Sequence, residues 1–250
     1  MASMKLIPNK QTALDALTKM LLKGRREAIF FTLLFNCIPY FSFLSSVTIA
    51  LVTLRQGVKE GAFVALVAML PTVMVAAYQG SVLLGLAQGG ATFGVAWFLA
   101  SVLNYRRSWA SVFFSASILA LMIGIMVHAI APNHVAESKR VLQEMFNILQ
   151  EKGQLKYDDA LMKDNINWFA DYFLGTQLAI SMLLALFNIG FARYMQSNVF
   201  YPGGFAREFL FFRLTPEIAL LFVACLVGLL LDSAIAKMFL MVSALPLVFS

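Results

Sequence analysis

Apolar residues along this chain fall in long runs. They cover 28–54, 62–78, 82–103, 110–131, 168–192, 216–231 and 236–250, with short polar stretches between them. Most come close to the roughly 20 residues that an α-helix needs to cross the hydrocarbon of a bilayer. The pattern predicts an all-α, polytopic membrane bundle of about seven or eight helices, including a short N-terminal hairpin. It divides the chain into a basic tail, 1–27, and a single transmembrane domain, 28–250.

The first run, 28–54, carries Pro39 in its middle. It reads either as one kinked span or as two short helices turning at Pro39-Tyr40. Counting Lys and Arg separates the two. The hairpin puts 1–27, 55–61, 104–109 and 193–215 on one side, with 13 of the 19 basic residues. The kinked span scatters them. Loops rich in Lys and Arg stay in the cytoplasm, so the hairpin is favoured and the N-terminus is expected inside. Half-length helices need burial against other spans. Tyr105, Trp109, Trp168 and Tyr172 flank the runs where aromatic belts form.

Composition narrows the class. The 250 residues are 60% apolar and 13% charged, and the mean hydropathy is +0.79. Soluble domains lie nearer half apolar and a quarter charged, and no soluble core of this size hides so much apolar surface. The formal charge of +6 sits in short clusters between the runs. That distribution fits topology signals and an anionic inner leaflet rather than nucleic acid. Cys37 and Cys225 lie inside apolar runs with no metal-ligand spacing, so no disulfide, metal or cofactor is expected.

Residues 13–23 set Leu14, Leu17, Met20 and Leu21 against Lys19 and Lys23, which predicts either an interfacial helix or a solvated basic tail. The outer loop, 132–167, should hold an amphipathic helix ending near Gly153, with Val141, Leu142, Met145, Ile148 and Leu149 on its apolar face. The segment 198–215 reads as a turn at Tyr201-Pro202-Gly203-Gly204 followed by an interfacial helix with Arg207 and Arg213 between phenylalanines. Thr215 should cap the next span and Pro216 open it. Small residues recur four apart at Gly57, Gly61 and Ala65, at Gly85 and Gly89, and at Gly90 and Gly94, a spacing that lets helix backbones approach.

Catalytic chemistry is missing from the sequence: there is no GxSxG, P-loop or HExxH, and there are two histidines. An enzyme is not expected. Polar residues within the spans must find partners away from lipid. Asn36, Gln88, His128, Asp171 and Gln177 all fall in the outer half of the layout. Together they form a candidate polar pocket for a solute of unknown identity. Interfacial solvation is the plainer reading for His128 and Asp171.

Two segments carry a family resemblance. Ile49–Gly61, with Arg55, Gly57 and Gly61, and Tyr201–Leu214, with Pro202, Gly203, Gly204, Arg207 and Arg213, resemble the YybS-like bacterial membrane proteins, a domain-of-unknown-function family. That family is similar to the substrate-binding S components of energy-coupling-factor transporters and to the cell-shape protein MreD. The first helix departs from the S components in lacking an AxxxA-type docking face. The chain ends at Ser250 inside an apolar run, where relatives continue, so either the last helix is short or the chain is cut. The resemblance implies a multi-pass protein of the bacterial cytoplasmic membrane with a membrane partner subunit. Two roles follow from it: a solute-binding or transport subunit, or a non-transporting scaffold of a cell-envelope complex.

Overall fold

A computed structural model of the chain describes residues 13–38, 41–131, 133–151, 159–210, 216–230, 236, 239–240 and 242–244. Every regular element among them is helical: α1 (Ala13–Leu21), α2 (Arg25–Cys37), α3 (Ser42–Gln56), α4 (Val58–Tyr78), α5 (Val82–Gly89), α6 (Val95–Arg106), α7 (Trp109–Ile130), α8 (His134–Glu151), α9 (Asp159–Phe200), α10 (Gly204–Leu210) and α11 (Pro216–Leu230). A π turn, Gly90–Gly94, joins α5 to α6. Among the described residues, four helical stretches are long and apolar enough to cross a membrane: Val58–Tyr78, Val82–Arg106, Trp109–Ile130 and Asn165–Phe200. Over the most apolar 18 residues of each, only 28% to 39% are buried. Leu66, Met74, Leu83, Met122 and Phe187, each more than half exposed, turn outward from them. In water such a surface would drive association; hydrocarbon tails cover it. The chain is a helical protein of membrane type.

The chain divides into two compact units. One comprises Met1–Val112 with Ala185–Phe211, the other Phe113–Leu184 with Phe212–Ser250.

The first unit is built around α3. Its residues from Ser45 to Thr53 are all buried, and α2, α4 and α6 pack against it. A helix buried on every side is apolar all round, and α3 meets that requirement with small and β-branched residues. Three of its buried hydroxyls are satisfied: Thr48 and Thr53 donate to the Leu44 and Ile49 carbonyls, and Ser45 donates to Thr32 O on α2 at 2.7 Å, while the buried Ser46 hydroxyl has no partner among the described residues. Ile49, Val52, Ala28, Val64, Ala68 and Phe93 form the core. The close approach of α4 to α3 falls at Gly61, where an added Cβ would lie 3.0 Å from the Thr53 Cα and closer still to its side chain.

The run 28–54 is therefore two helices. Arg25, at the start of α2, makes two hydrogen bonds to Glu60, in the first turn of α4, at 2.7 and 2.5 Å. Gln56, at the end of α3, reaches Leu22 O at 3.3 Å. The start of α2 thus lies beside the end of α3, which one kinked span does not allow. Pro39 and Tyr40 lie outside the described residues. The polar loop expected over 55–61 shrinks to one residue, Gly57, whose φ of +107° turns the chain directly from α3 into α4.

Two further expectations change. Helix α9 continues to Phe200, so residues 193–200, read from their polarity as loop, are the last turns of a 42-residue helix. Gly90 and Gly94 share the four-residue spacing of the close-packed Gly85 and Gly89, yet a Cβ on either would meet nothing within 4 Å. Their stretch of backbone is the π turn. The tail helix α1 forms, with Asp15, Thr18 and Leu21 on its buried side while Met20 is exposed.

In the second unit α8 forms as the apolar stripe predicts. Leu142 packs with Ile166 and Ala170 of α9, while Val141, Met145 and Ile148 remain about half exposed. Pro216 opens α11. Thr215, Arg213 and most of 236–250 lie outside the described residues.

Candidate functional site

The expected outer polar residues are divided between the units and are placed differently. In the first unit, Asn36 is spent on packing: its Nδ2 donates to Ala68 O of α4 at 3.2 Å. Gln88 has an exposed side chain, one residue before the Gly89 that precedes the π turn. In the second unit, Asp171 pairs with Lys139 of α8 at 3.8 Å, both about one-third exposed. Half-buried His128 lies near the end of α7, and Gln177 is exposed on α9.

A better-formed site lies in the first unit, where α3, α6 and α9 end. A cavity of about 350 Å³ is lined by Leu54, Arg55, Leu103, Asn104, Arg107, Arg193, Gln196, Tyr201 and Glu208. Its geometry follows from how these helices finish. At the end of α6, Arg107 takes a left-handed conformation, φ 51°, and its N–H donates to Leu103 O at 2.9 Å. That bond closes the helix and turns the chain straight into α7. At the end of α9, Tyr201 donates its N–H to Ser197 O, and Gly203 follows with φ +81°. This is the turn that Pro202-Gly203-Gly204 predicts, with Gly203 carrying the positive φ. It sends α10 back across the end of α9.

Glu208 of α10 is the pivot. Its carboxylate accepts hydrogen bonds from Nε and Nη2 of Arg193, the Nε bond at 3.1 Å, and from Nε1 of Trp109 at 3.3 Å. Arg193 also donates to Oε1 of Gln196 at 2.6 Å, and Gln196 Nε2 reaches Leu54 O at 3.4 Å. Phe205 packs edge-on against Trp109 and Tyr194, with ring centroids 6.2 and 6.0 Å apart. One carboxylate, one guanidinium and three aromatic rings thus pin α10 to the unit. Trp109, expected in a lipid-facing belt, is buried here instead.

Charge in the cavity does not balance. Arg193 is matched by Glu208. Among the described residues no carboxylate lies within ion-pair distance of Arg55 or Arg107, and the Arg55 guanidinium rests 4.1 Å from the centre of the Phe200 ring. A ring face attracts a cation but does not neutralise it.

Arg55, Gly57, Gly61, Pro202, Gly203 and Gly204 all fall on or beside this end of the unit. Arg207 is exposed on α10. The residues that sequence reasoning missed are Glu208, Arg193, Trp109 and Arg107 as one cluster. The available signal was Arg193, the one charge of α9 beyond Asp171, in its apolar part. No group of three or more His, Cys, Asp or Glu suited to a metal occurs among the described residues. Comparison of the chain with protein-family models, with curated proteins and with solved structures finds no match.

Proposed function

We propose that this chain is a non-enzymatic subunit of a cell-envelope complex in the bacterial cytoplasmic membrane, a scaffold rather than a transporter. Its N-terminus lies in the cytoplasm, and it engages its partner at the end that carries α10. One observation carries this reading: the well-formed polar site of the first unit gathers at that end around the Glu208 clamp, while Asn36, expected in a solute pocket, is bonded to the Ala68 backbone. An amide donated to a neighbouring helix backbone holds helices together and leaves little for a solute. The likeness of Ile49–Gly61 and Tyr201–Leu214 to YybS-like proteins is compatible with this role through MreD, and equally with solute binding through the S components.

Solute binding stays as a second reading because Gln88 and Gln177 are exposed along apolar helices. Their position in the spans calls for a polar partner. Co-purification in mild detergent separates the two. The scaffold reading expects a membrane-protein partner that is lost when Glu208 and Arg193 are both replaced by Gln. Recovery of an ATPase together with a small molecule, held regardless of that double substitution, would establish transport instead.

A further inference from the structure

We propose that the cavity at the ends of α3, α6 and α9 is a binding site for a phosphate-class oxyanion, held by Arg55 and Arg107. The inference rests on reading this end as the working face of the protein. It goes further by naming what the cavity takes.

Charge comes first. Among the described residues, three guanidiniums and one carboxylate line the cavity, and Arg193 and Glu208 satisfy each other. Two positive charges remain, on Arg55 and Arg107. Neutral donors line the cavity with them: the Asn104 amide and the Tyr201 hydroxyl. A planar guanidinium presents paired N–H donors that match two oxygens of a phosphate or carboxylate. Two such groups beside amide and hydroxyl donors suit a doubly charged anion. A volume of about 350 Å³ admits a phosphate with a substituent, at the small end of ligand pockets.

The backbone adds an independent argument. Arg107 is the sole non-glycine residue with positive φ among those described. A helix end closed in this way ordinarily takes Gly or Asn. Strain kept at a residue whose side chain lines a charged cavity points to a use for that side chain.

Helix dipoles supply the competing account. Three helix C-termini meet here, and their negative ends attract basic residues with or without a ligand. Several of the carbonyls concerned are already capped, Leu54 O by Gln196, Leu103 O by the Arg107 N–H and Ser197 O by the Tyr201 N–H. The arginine side chains are therefore left to face the cavity. A phosphate reaches it either as the headgroup of an anionic lipid or as a soluble phosphate, and the chemistry of recognition is the same.

The test uses the full chain, delipidated in neutral detergent. In one arm inorganic phosphate is titrated calorimetrically against chloride at equal ionic strength. In the other, retention of phosphatidylglycerol over phosphatidylcholine is read by native mass spectrometry. Saturable binding in either arm is expected, weakened about tenfold or more in the R55Q/R107Q double variant, as for loss of charged hydrogen bonds, and unchanged in R140Q, whose arginine is exposed on α8. R107G, which suits the backbone at that position, should keep the fold and still lose binding several-fold. Binding of inorganic phosphate identifies a soluble ligand; retention of phosphatidylglycerol alone identifies a lipid headgroup. Absence of saturable binding in both arms, or binding that survives R55Q/R107Q, overturns the proposal and leaves the arginines as caps of helix ends. The assay needs neither a partner nor an orientation, so its failure is distinct from failure of the scaffold reading.

Discussion

At the scale of single residues, backbone geometry separates positions that look alike in the sequence. A left-handed conformation costs an L-residue with a Cβ roughly 1–2 kcal/mol, and glycine is free of that cost. Arg107→Gly should therefore leave the melting temperature in detergent unchanged or raise it, by up to about 1 kcal/mol of stability. A marked fall would mean that the Arg107 side chain holds the fold rather than a ligand. The glycines give a sharper contrast. An added Cβ at Gly85 would lie 2.8 Å from the Val73 Cα and 3.2 Å from Thr72 O, atoms that cannot swing aside. Overpacking of this kind costs about 1–3 kcal/mol, so Gly85→Ala should melt earlier. Gly94→Ala should be neutral or stabilising, since nothing lies within 4 Å and alanine is the better helix former. Equal melting shifts for the two variants would contradict the packing described. Spacing by four made both pairs candidates for close approach. It could not show that the second pair sits in a π turn, because π geometry is set by how the rod of α5 and α6 packs against its neighbours.

At the scale of elements, what was legible depended on whether one face of a helix met water or lipid. The α2–α3 hairpin followed from counting Lys and Arg, and the Arg25–Glu60 pair agrees with it. Helix α8 followed from its stripe. The end of α9 was hidden because Arg193, Gln196 and Ser197 are polar, and polarity in a chain like this suggests a loop. Their polarity is instead used inside the unit, where Gln196 and Ser197 are 4% and 3% exposed. That contact spans α3, α9 and α10, and no local pattern encodes it. The clamp makes a prediction at this scale. Glu208→Gln removes the charge that Arg193 and Trp109 address, and hydrogen bonds to a charged group contribute about 1.5–3 kcal/mol. Arg193 and Glu208 are 25% and 32% exposed, so the lower end of that range applies. The expected result is faster protease cleavage between α9 and α10, with the rest of the chain protected. A double-mutant cycle with Arg193→Gln should show a coupling of about 0.5 kcal/mol or more. Additive effects would mean that α10 is held by Phe205 alone.

At the scale of the whole molecule, the question is which end faces the cytoplasm. The first unit gathers at one end the basic residues that the charge count assigned to a common side from separate stretches of sequence. Arg25 meets Glu60 at the start of α4, Gln56 ties the end of α3 to Leu22, and Arg55, Arg107 and Arg193 surround one cavity. Residues that must share a membrane face under the positive-inside rule do share an end. The rule then predicts a direction: the end rich in Lys and Arg is expected on the cytoplasmic side. Single cysteines in a background lacking Cys37 and Cys225 test it. Ser197 would be a poor reporter because it is buried. Tyr105, 84% exposed at the end of α6, and Ala136, exposed in the first turn of α8, are suitable. With the basic end inside, Ala136→Cys should react with a membrane-impermeant maleimide in intact cells, and Tyr105→Cys should react only after permeabilisation. Labelling in the reverse order would invert the protein, put the arginine cavity on the outer face and remove the cytoplasmic partner from the proposed function. Labelling of both in intact cells would break the span layout itself, since Trp109–Ile130 would then no longer carry the chain across the membrane between the two reporters.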